Sequence, residues 1–171
     1  MEIKNQEYLT TELQRLMNIL KMKTGIYNIE TCVGTNGKPY IMEVSPRGGG
    51  CRIAEIQKLA YGIDLIEYEV RASVGLELPK PTISDCDGVW CEMVLHAHQG
   101  QCGTFVSYSI DQYINSKFVK MIDFQKKKGD VIDSFDGAGK AFGNLFLKCD
   151  DRKTLDKLIT NFSDWFNIIV E

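Results

Sequence analysis

Nothing in the 171-residue sequence approaches the run of about 18 apolar residues that crosses a bilayer, so no membrane span is expected. The net charge of −3 leaves no basic footprint, which argues against nucleic acid as a partner. Six cysteines are present (Cys32, Cys51, Cys86, Cys91, Cys102, Cys149), but no C-x-x-C pair occurs and the spacings are irregular. Without a secretory leader, these read as reduced thiols, and the Asn161-Phe162-Ser163 sequon carries no consequence. The first residues, Met1-Glu-Ile-Lys-Asn-Gln-Glu7, are too polar for a signal peptide, and a cytoplasmic protein is expected. Internal repeats and low-complexity stretches are lacking too.

What is there is an ordinary soluble composition, 44% apolar and 25% charged, in a chain long enough to bury a core as one domain or two small ones. Leu9, Leu13, Leu16, Met17 and Leu20 recur at helical spacing over residues 6–22, and Gly25 supplies a stop. A hairpin is expected from Ile26–Val33 to Pro39–Val44, turning at Asn36-Gly37. Its Ile29, Val33, Tyr40, Met42 and Val44 could cover an apolar surface, and the first helix is the obvious element to pack there. Ile53, Ile56, Leu59 and Ala60 mark a helix ending at Tyr61-Gly62. Asp64 reads as the N-cap of the next, Leu65–Val74, with Glu67 as its capping-box partner.

Pro79 and Pro81 mark a break between expected domains at residues 1–78 and 82–171. Beyond it, strands are expected at Val89–His98, Gly103–Ser109, Phe118–Gln125, Val131–Phe135 and Ala141–Lys148. A helix at Thr154–Phe166 and a last short strand at Asn167–Val170 close the chain. The order is α-β-β-α-α, then a mostly antiparallel sheet with a closing helix, which is α+β rather than alternating β/α.

The hairpin carries the chemistry. Glu30 and Glu43 arrive on its paired strands, and Ser45 and Arg47 follow Glu43 at alternate positions, so all three project from one face while the strand stays extended. Two carboxylates and a hydroxyl suit magnesium, which shares its ligands with water and substrate phosphates. Arg47 offers a planar fork to a phosphoryl oxygen. Gly48, Gly49 and Gly50 let the backbone approach an anion at the start of the following helix. Arg52 is placed to reach a substrate carboxylate. The same residues are also read as a solvated face with a marginal ion pair, and spacing alone does not separate the two. Cys91, His96, His98 and Cys102 could be imagined as zinc ligands, with both histidines on one face of a strand. Their spacing matches no standard finger or ribbon, and histidines on a solvent or pocket face are the better reading.

Gly25-Ile-Tyr-Asn-Ile-Glu30 followed by Tyr40-Ile-Met-Glu-Val-Ser-Pro-Arg-Gly-Gly-Gly50 resembles the C-terminal metal-binding motif of ATP-grasp enzymes, in the flavour of carbamoyl-phosphate synthase large subunit and the carboxylate–amine ligases. Ala60-Tyr-Gly-Ile-Asp-Leu65 is similar to the segment after that motif, and residues 128–147 and the closing helix to the small C-terminal domain of the amino-acid-ligase branch. The resemblance spans about residues 8–170, with its core at residues 25–65. It implies the C-terminal portion of an ATP-grasp domain over residues 1–78, then a small, mostly antiparallel domain. It also implies ATP and Mg2+ (or Mn2+) as cofactors, and activation of a carboxylate as an acyl phosphate for attack by an amine. Glu30 and Glu43 would be the metal-binding acids, with Ser45 where asparagine is usual, a shorter side chain that weakens one metal contact. Arg47 would stabilise the transferred phosphoryl group beside Gly48 and Gly49.

The lobe that carries the phosphate-facing lysines and the adenine pocket in those enzymes has no counterpart here; Lys21, Lys23 and Lys38 belong to a helix end and a turn. No ligase turnover is therefore expected from the chain in isolation. One expectation is a piece of a longer ligase, with an apolar face left open on the first helix and a tendency to form homodimers. The other is a free-standing half completed by a partner chain, or a non-catalytic binding module that keeps the fold.

Overall fold

The structure is a computed structural model that describes residues 2–98 and 101–171. Two compact units divide it, one made of the residues up to Gly50 together with Ile63–Thr82, the other of Cys51–Gly62 with Ile83–Glu171.

In the first unit, α1 (Ile3–Ile19) starts earlier and ends earlier than its apolar spacing predicts. Asn5 and Leu9 are buried, Leu13, Leu16 and Met17 half-buried, and Leu20 lies past the helix end and is exposed. The helix packs on β2 (Pro39–Ser45), which pairs antiparallel with β1 (Asn28–Val33). The turn between them is closed by the Gly37 amide donating to Gly34 O at 2.9 Å and the Lys38 amide donating to Asn36 Oδ1 at 3.0 Å. The apolar surface expected of the hairpin is largely uncovered: Met42 is 65% exposed, and Val33 and Tyr40 nearly half. Only α3 (Leu65–Ser73) remains to this unit, and its N-cap Asp64 accepts from the Glu67 amide at 3.0 Å. Leu9 is the one hydrophobic side chain fully buried among the unit's described residues. Two strands and two helices with so little interior are a marginal assembly by themselves.

The second unit holds the core. It begins with α2 (Ile53–Tyr61), which ends at Gly62 in the left-handed conformation (φ 74°) that glycine adopts without Cβ strain. Where one sheet is expected, two three-stranded antiparallel sheets form. In the first, β7 (Gly143–Cys149) lies between β3 (Val89–Leu95) and β5 (Val119–Phe124); in the second, β4 (Gly103–Ile110) lies between β6 (Val131–Ile132) and β8 (Phe166–Val170). β7 is buried on both faces, which is why Leu145-Phe146-Leu147 reads as a continuous apolar run and not an alternation. Its Gly143 is needed for close approach, since a Cβ there would collide with the Asp123 carbonyl. Leu145, Leu147 and Cys149 pack with Phe105, Phe118 and Ile168.

Further elements depart from sequence expectation. Gln112–Phe118 form a further helix, α4, capped by the Asp111 carboxylate accepting from the Ile114 amide at 2.9 Å. The closing helix is broken at Asn161 into α5 (Arg152–Thr160) and α6 (Phe162–Trp165). β3 stops at Leu95, so His96 and His98 do not share a strand face. The His96 ring instead stacks near Phe135, centroids 4.2 Å apart, and Phe135 itself lies beyond the two-residue β6. All six cysteines are free, and no helix among the described residues is long and apolar enough to cross a membrane.

Candidate functional site

The hairpin register sets Glu30 directly opposite Glu43, with a register shift immediately after Glu30. Both are exposed. Like charges directly opposite on paired strands repel, so this arrangement needs a reason. Part of one is local: Ser45, two residues on and on the same face, donates its hydroxyl to Glu43 Oε1. Arg47 lies just past the strand, where its amide donates to Ser45 O at 2.9 Å and its guanidinium Nη1 donates to Gly48 O at 2.8 Å. Its side chain is exposed and, among the described residues, pairs with no carboxylate. The first unit thus gathers Glu30, Glu43, Ser45 and Arg47 at one end of the hairpin.

Gly48 and Gly49 follow, half-buried. A Cβ on Gly48 would lie 3.2 Å from Glu69 Oε2 of α3, a neighbouring carboxylate that sequence spacing did not single out. The glycines are not the left-handed positions of this loop. Those are the next two residues, Cys51 (φ 51°) and Arg52 (φ 62°), each in a conformation that costs a non-glycine residue roughly 1–2 kcal/mol.

Arg52, the second of them and the N-cap of α2, has its guanidinium taken up inside the second unit. Nε donates to Glu55 Oε1 at 2.8 Å, Nη1 contacts Asp123 Oδ2 at 2.5 Å, and the group sits 5.8 Å from the centroid of the buried Phe146 ring. Glu92 completes this cluster from β3, where its Oε1 accepts from Asn144 Nδ2 at 2.7 Å. Burial pushes the Glu92 carboxyl above its usual range, against the opposing pull of the Asn144 hydrogen bond. A raised carboxyl pKa in the folded state means the native protein holds the proton more tightly than the unfolded chain. Stability is then fullest below the unfolded value and falls as pH rises through the folded one. Glu92→Gln is expected to stabilise the chain at pH 7 by no more than about 1 kcal/mol, since the group is only half-buried and solvent screens it. The gain should vanish near pH 4, and paired urea melts at the two pH values would measure it.

Among the described residues, no three His, Cys, Asp or Glu side chains converge as a group that could hold a metal ion. This leaves Cys91, His96, His98 and Cys102 without a ligand cluster. At the hairpin the available donors are two carboxylates and a hydroxyl. That set fits magnesium in its common habit, one or two carboxylates with the other positions filled by water and phosphate oxygens.

No protein-family model matches the chain, and no curated protein matches it in sequence. Solved structures match it throughout. Phosphoribosylglycinamide synthetase from Anaerococcus prevotii superposes with a TM-score of 0.81 at 16% identity, covering 100% of this chain and 43% of that one. L-Amino acid ligase from Bacillus licheniformis gives 0.79 at 15% identity, covering 100% and 42%. The biotin carboxylase domain of Hydrogenobacter thermophilus 2-oxoglutarate carboxylase, solved with MgADP and bicarbonate, gives 0.71 at 14% identity, covering 99% and 37%. The chain therefore has an α+β fold that matches part of the ATP-grasp enzymes, and spans about two-fifths of the length of each.

Proposed function

We propose that this chain is the metal- and phosphoryl-binding part of an ATP-dependent carbon–nitrogen ligase, with the nucleotide clamp supplied by a further lobe or a partner chain. The observation that carries the reading is the direct opposition of Glu30 and Glu43, two like charges whose repulsion a divalent cation would reverse. Glu30 and Glu43 would hold a divalent cation there, and such a cation would supply positive charge against the charge that develops on a transferring phosphoryl group.

The chain's own residues have separable parts in this reading. Glu30 and Glu43 hold the cation, and the Ser45 hydroxyl orients the Glu43 carboxylate. Arg47 turns from the Gly48 carbonyl to the transferring phosphoryl oxygens, where its fork makes paired hydrogen bonds. Gly48 and Gly49 present backbone without side chains to the same anion. In the reaction a substrate carboxylate oxygen attacks the γ-phosphorus and ADP leaves with the bond electrons. An amine then attacks the acyl carbon and phosphate departs. The uncovered apolar side chains of the first unit, including Ile3, Tyr8 and Met42, support completion by further polypeptide.

Titration of the 15N-labelled chain with Mn2+·ATP tests the reading. Paramagnetic broadening is expected first at Glu30, Glu43, Ser45 and Arg47. Broadening that begins elsewhere, or none at millimolar Mn2+·ATP, would overturn it.

A further inference from the structure

A cavity of about 290 Å3 opens within the second unit between one face of α2 and the start of β3. Ile56, Ala60 and Tyr61 form one wall and Val89 and Trp90 the other. No Asp, Glu, Lys or Arg is among its lining residues. Gln57, on the same helical face, contributes the one anomaly. Its Oε1 is buried and has no hydrogen-bond partner, alone in this among the described side chains.

We propose that this cavity binds a small uncharged aromatic molecule carrying an N–H or O–H donor, and that Gln57 accepts from that donor. The site is independent of the hairpin and of the ligase reading. Size, lining and the unpaired acceptor together select this ligand class. A cavity of roughly 150 Å3 lined by apolar side chains already takes up benzene, so this volume admits one substituted ring or a fused pair. Trp90 provides a ring of fixed orientation. Its Nε1 donates to the Asp87 carbonyl at 3.1 Å, and Lys148 lies 5.7 Å from the ring centroid while paired to Asp87 at 2.5 Å. The indole's own donor is therefore spent, and a flat ligand meets only its π-face or edge.

Water serves this acceptor poorly, because an ordered water needs two to four polar partners, and the other side chains of the lining offer only the Tyr61 hydroxyl and the Cys86 thiol, which already donates to the Gly88 carbonyl. A ring with a single donor satisfies both features, covering apolar surface while closing the open hydrogen bond. The terminal amide torsion of glutamine is broad, so Gln57 can turn Oε1 towards the cavity without leaving its rotamer. An ionic ligand would be desolvated against a wall that offers no counter-charge, which excludes carboxylates, phosphates and ammonium groups.

Indole and 1-methylindole test this, since they share a shape and differ in the donor. Each is titrated into the 15N-labelled chain, without metal or nucleotide, and followed at the Trp90 indole N–H and the α2 amides. Saturable shifts are expected with indole, and about tenfold weaker binding with 1-methylindole, the usual worth of one hydrogen bond to a buried acceptor. Gln57→Leu should bring the two affinities together while preserving binding, and Ala60→Phe should block both ligands by filling the space. Absence of saturable shifts for indole overturns the site. Equal affinities in the unmodified chain, or a preference for indole that survives Gln57→Leu, overturns the role of Gln57. Because the Gln57→Leu protein still binds 1-methylindole if folded, loss of fold cannot pass for loss of discrimination.

Discussion

Glu43→Gln is expected to abolish the selective response of the hairpin to Mn2+, with affinity falling at least tenfold. The substitution keeps the size and one oxygen of the side chain but deletes a charge, and a neutral carboxamide oxygen attracts a hard divalent cation less than a carboxylate does. Glu43 is exposed, and its one side-chain hydrogen bond among the described residues, from the Ser45 hydroxyl, can be accepted equally by the amide oxygen of glutamine. Removing it also relieves the repulsion from Glu30, so the melting temperature should hold or rise slightly, by an amount worth roughly 0.2–1 kcal/mol. If the chain is part of a ligase as proposed, the same change in the assembled protein should lower ATP-dependent turnover by about 100-fold or more, the scale seen when one preorganised electrostatic contact is lost. Unaltered Mn2+ broadening in the variant would remove Glu43 from the metal site.

Phe146→Ala is expected to be the most damaging single truncation in the second unit. The ring is fully buried at the centre of β7, between Glu92 of β3 and Met121 of β5 in register, and it seats the Arg52 guanidinium. Deleting a buried phenyl group costs about 3–5 kcal/mol through lost transfer energy and the cavity left behind. Here the cavity would also loosen Arg52 from Glu55 and Asp123, leaving those carboxylates facing Glu92 with less compensation. Urea denaturation should show the midpoint falling with little change in slope. Met42→Ala in the hairpin, where the side chain is 65% exposed, should stay within about 0.5 kcal/mol of the parent. A Phe146→Ala loss below 1 kcal/mol would show that β7 is not the strand on which this unit depends.

Local chemistry made the hairpin and its flanking helices legible. Asn36-Gly37 marks the turn and so the pairing of the two strands, but the register at that end (Thr31 opposite Ile41) would face Glu30 with Met42; the irregularity between Glu30 and Thr31 brings Glu30 opposite Glu43, and it has no marker in the sequence. Asp64 with Glu67, and Gly62 after α2, are likewise signals read within a few residues of where they act. The surroundings of Arg52 were not legible, because Asp123, Glu92 and Phe146 reach it only through the pairing of β7 with β3 and β5. The backbone of Cys51 and Arg52 was equally hidden, since three preceding glycines draw attention away from the residues that adopt positive φ. α4 escaped because seven residues are too few to establish a helical period, although Ile114 and Phe118 are four apart and Asp111 was there as a cap. The end of β3 at Leu95 rather than His98 has no local marker in His96-Ala97-His98.

The near-absence of an interior in the first unit bears on what a denaturation curve of this chain means. Among its described residues Leu9 is the single fully buried apolar side chain, whereas the second unit encloses Leu145, Phe146 and Leu147 completely. Cooperativity comes from shared burial, and a segment with little to share loosens at a lower free energy than one with a packed centre. Different spectroscopic probes would then report different midpoints, and the all-or-none assumption behind a single unfolding free energy would not hold for all 171 residues together. The tryptophans belong to the second unit, so fluorescence follows that unit, and the hairpin must be watched through its own resonances.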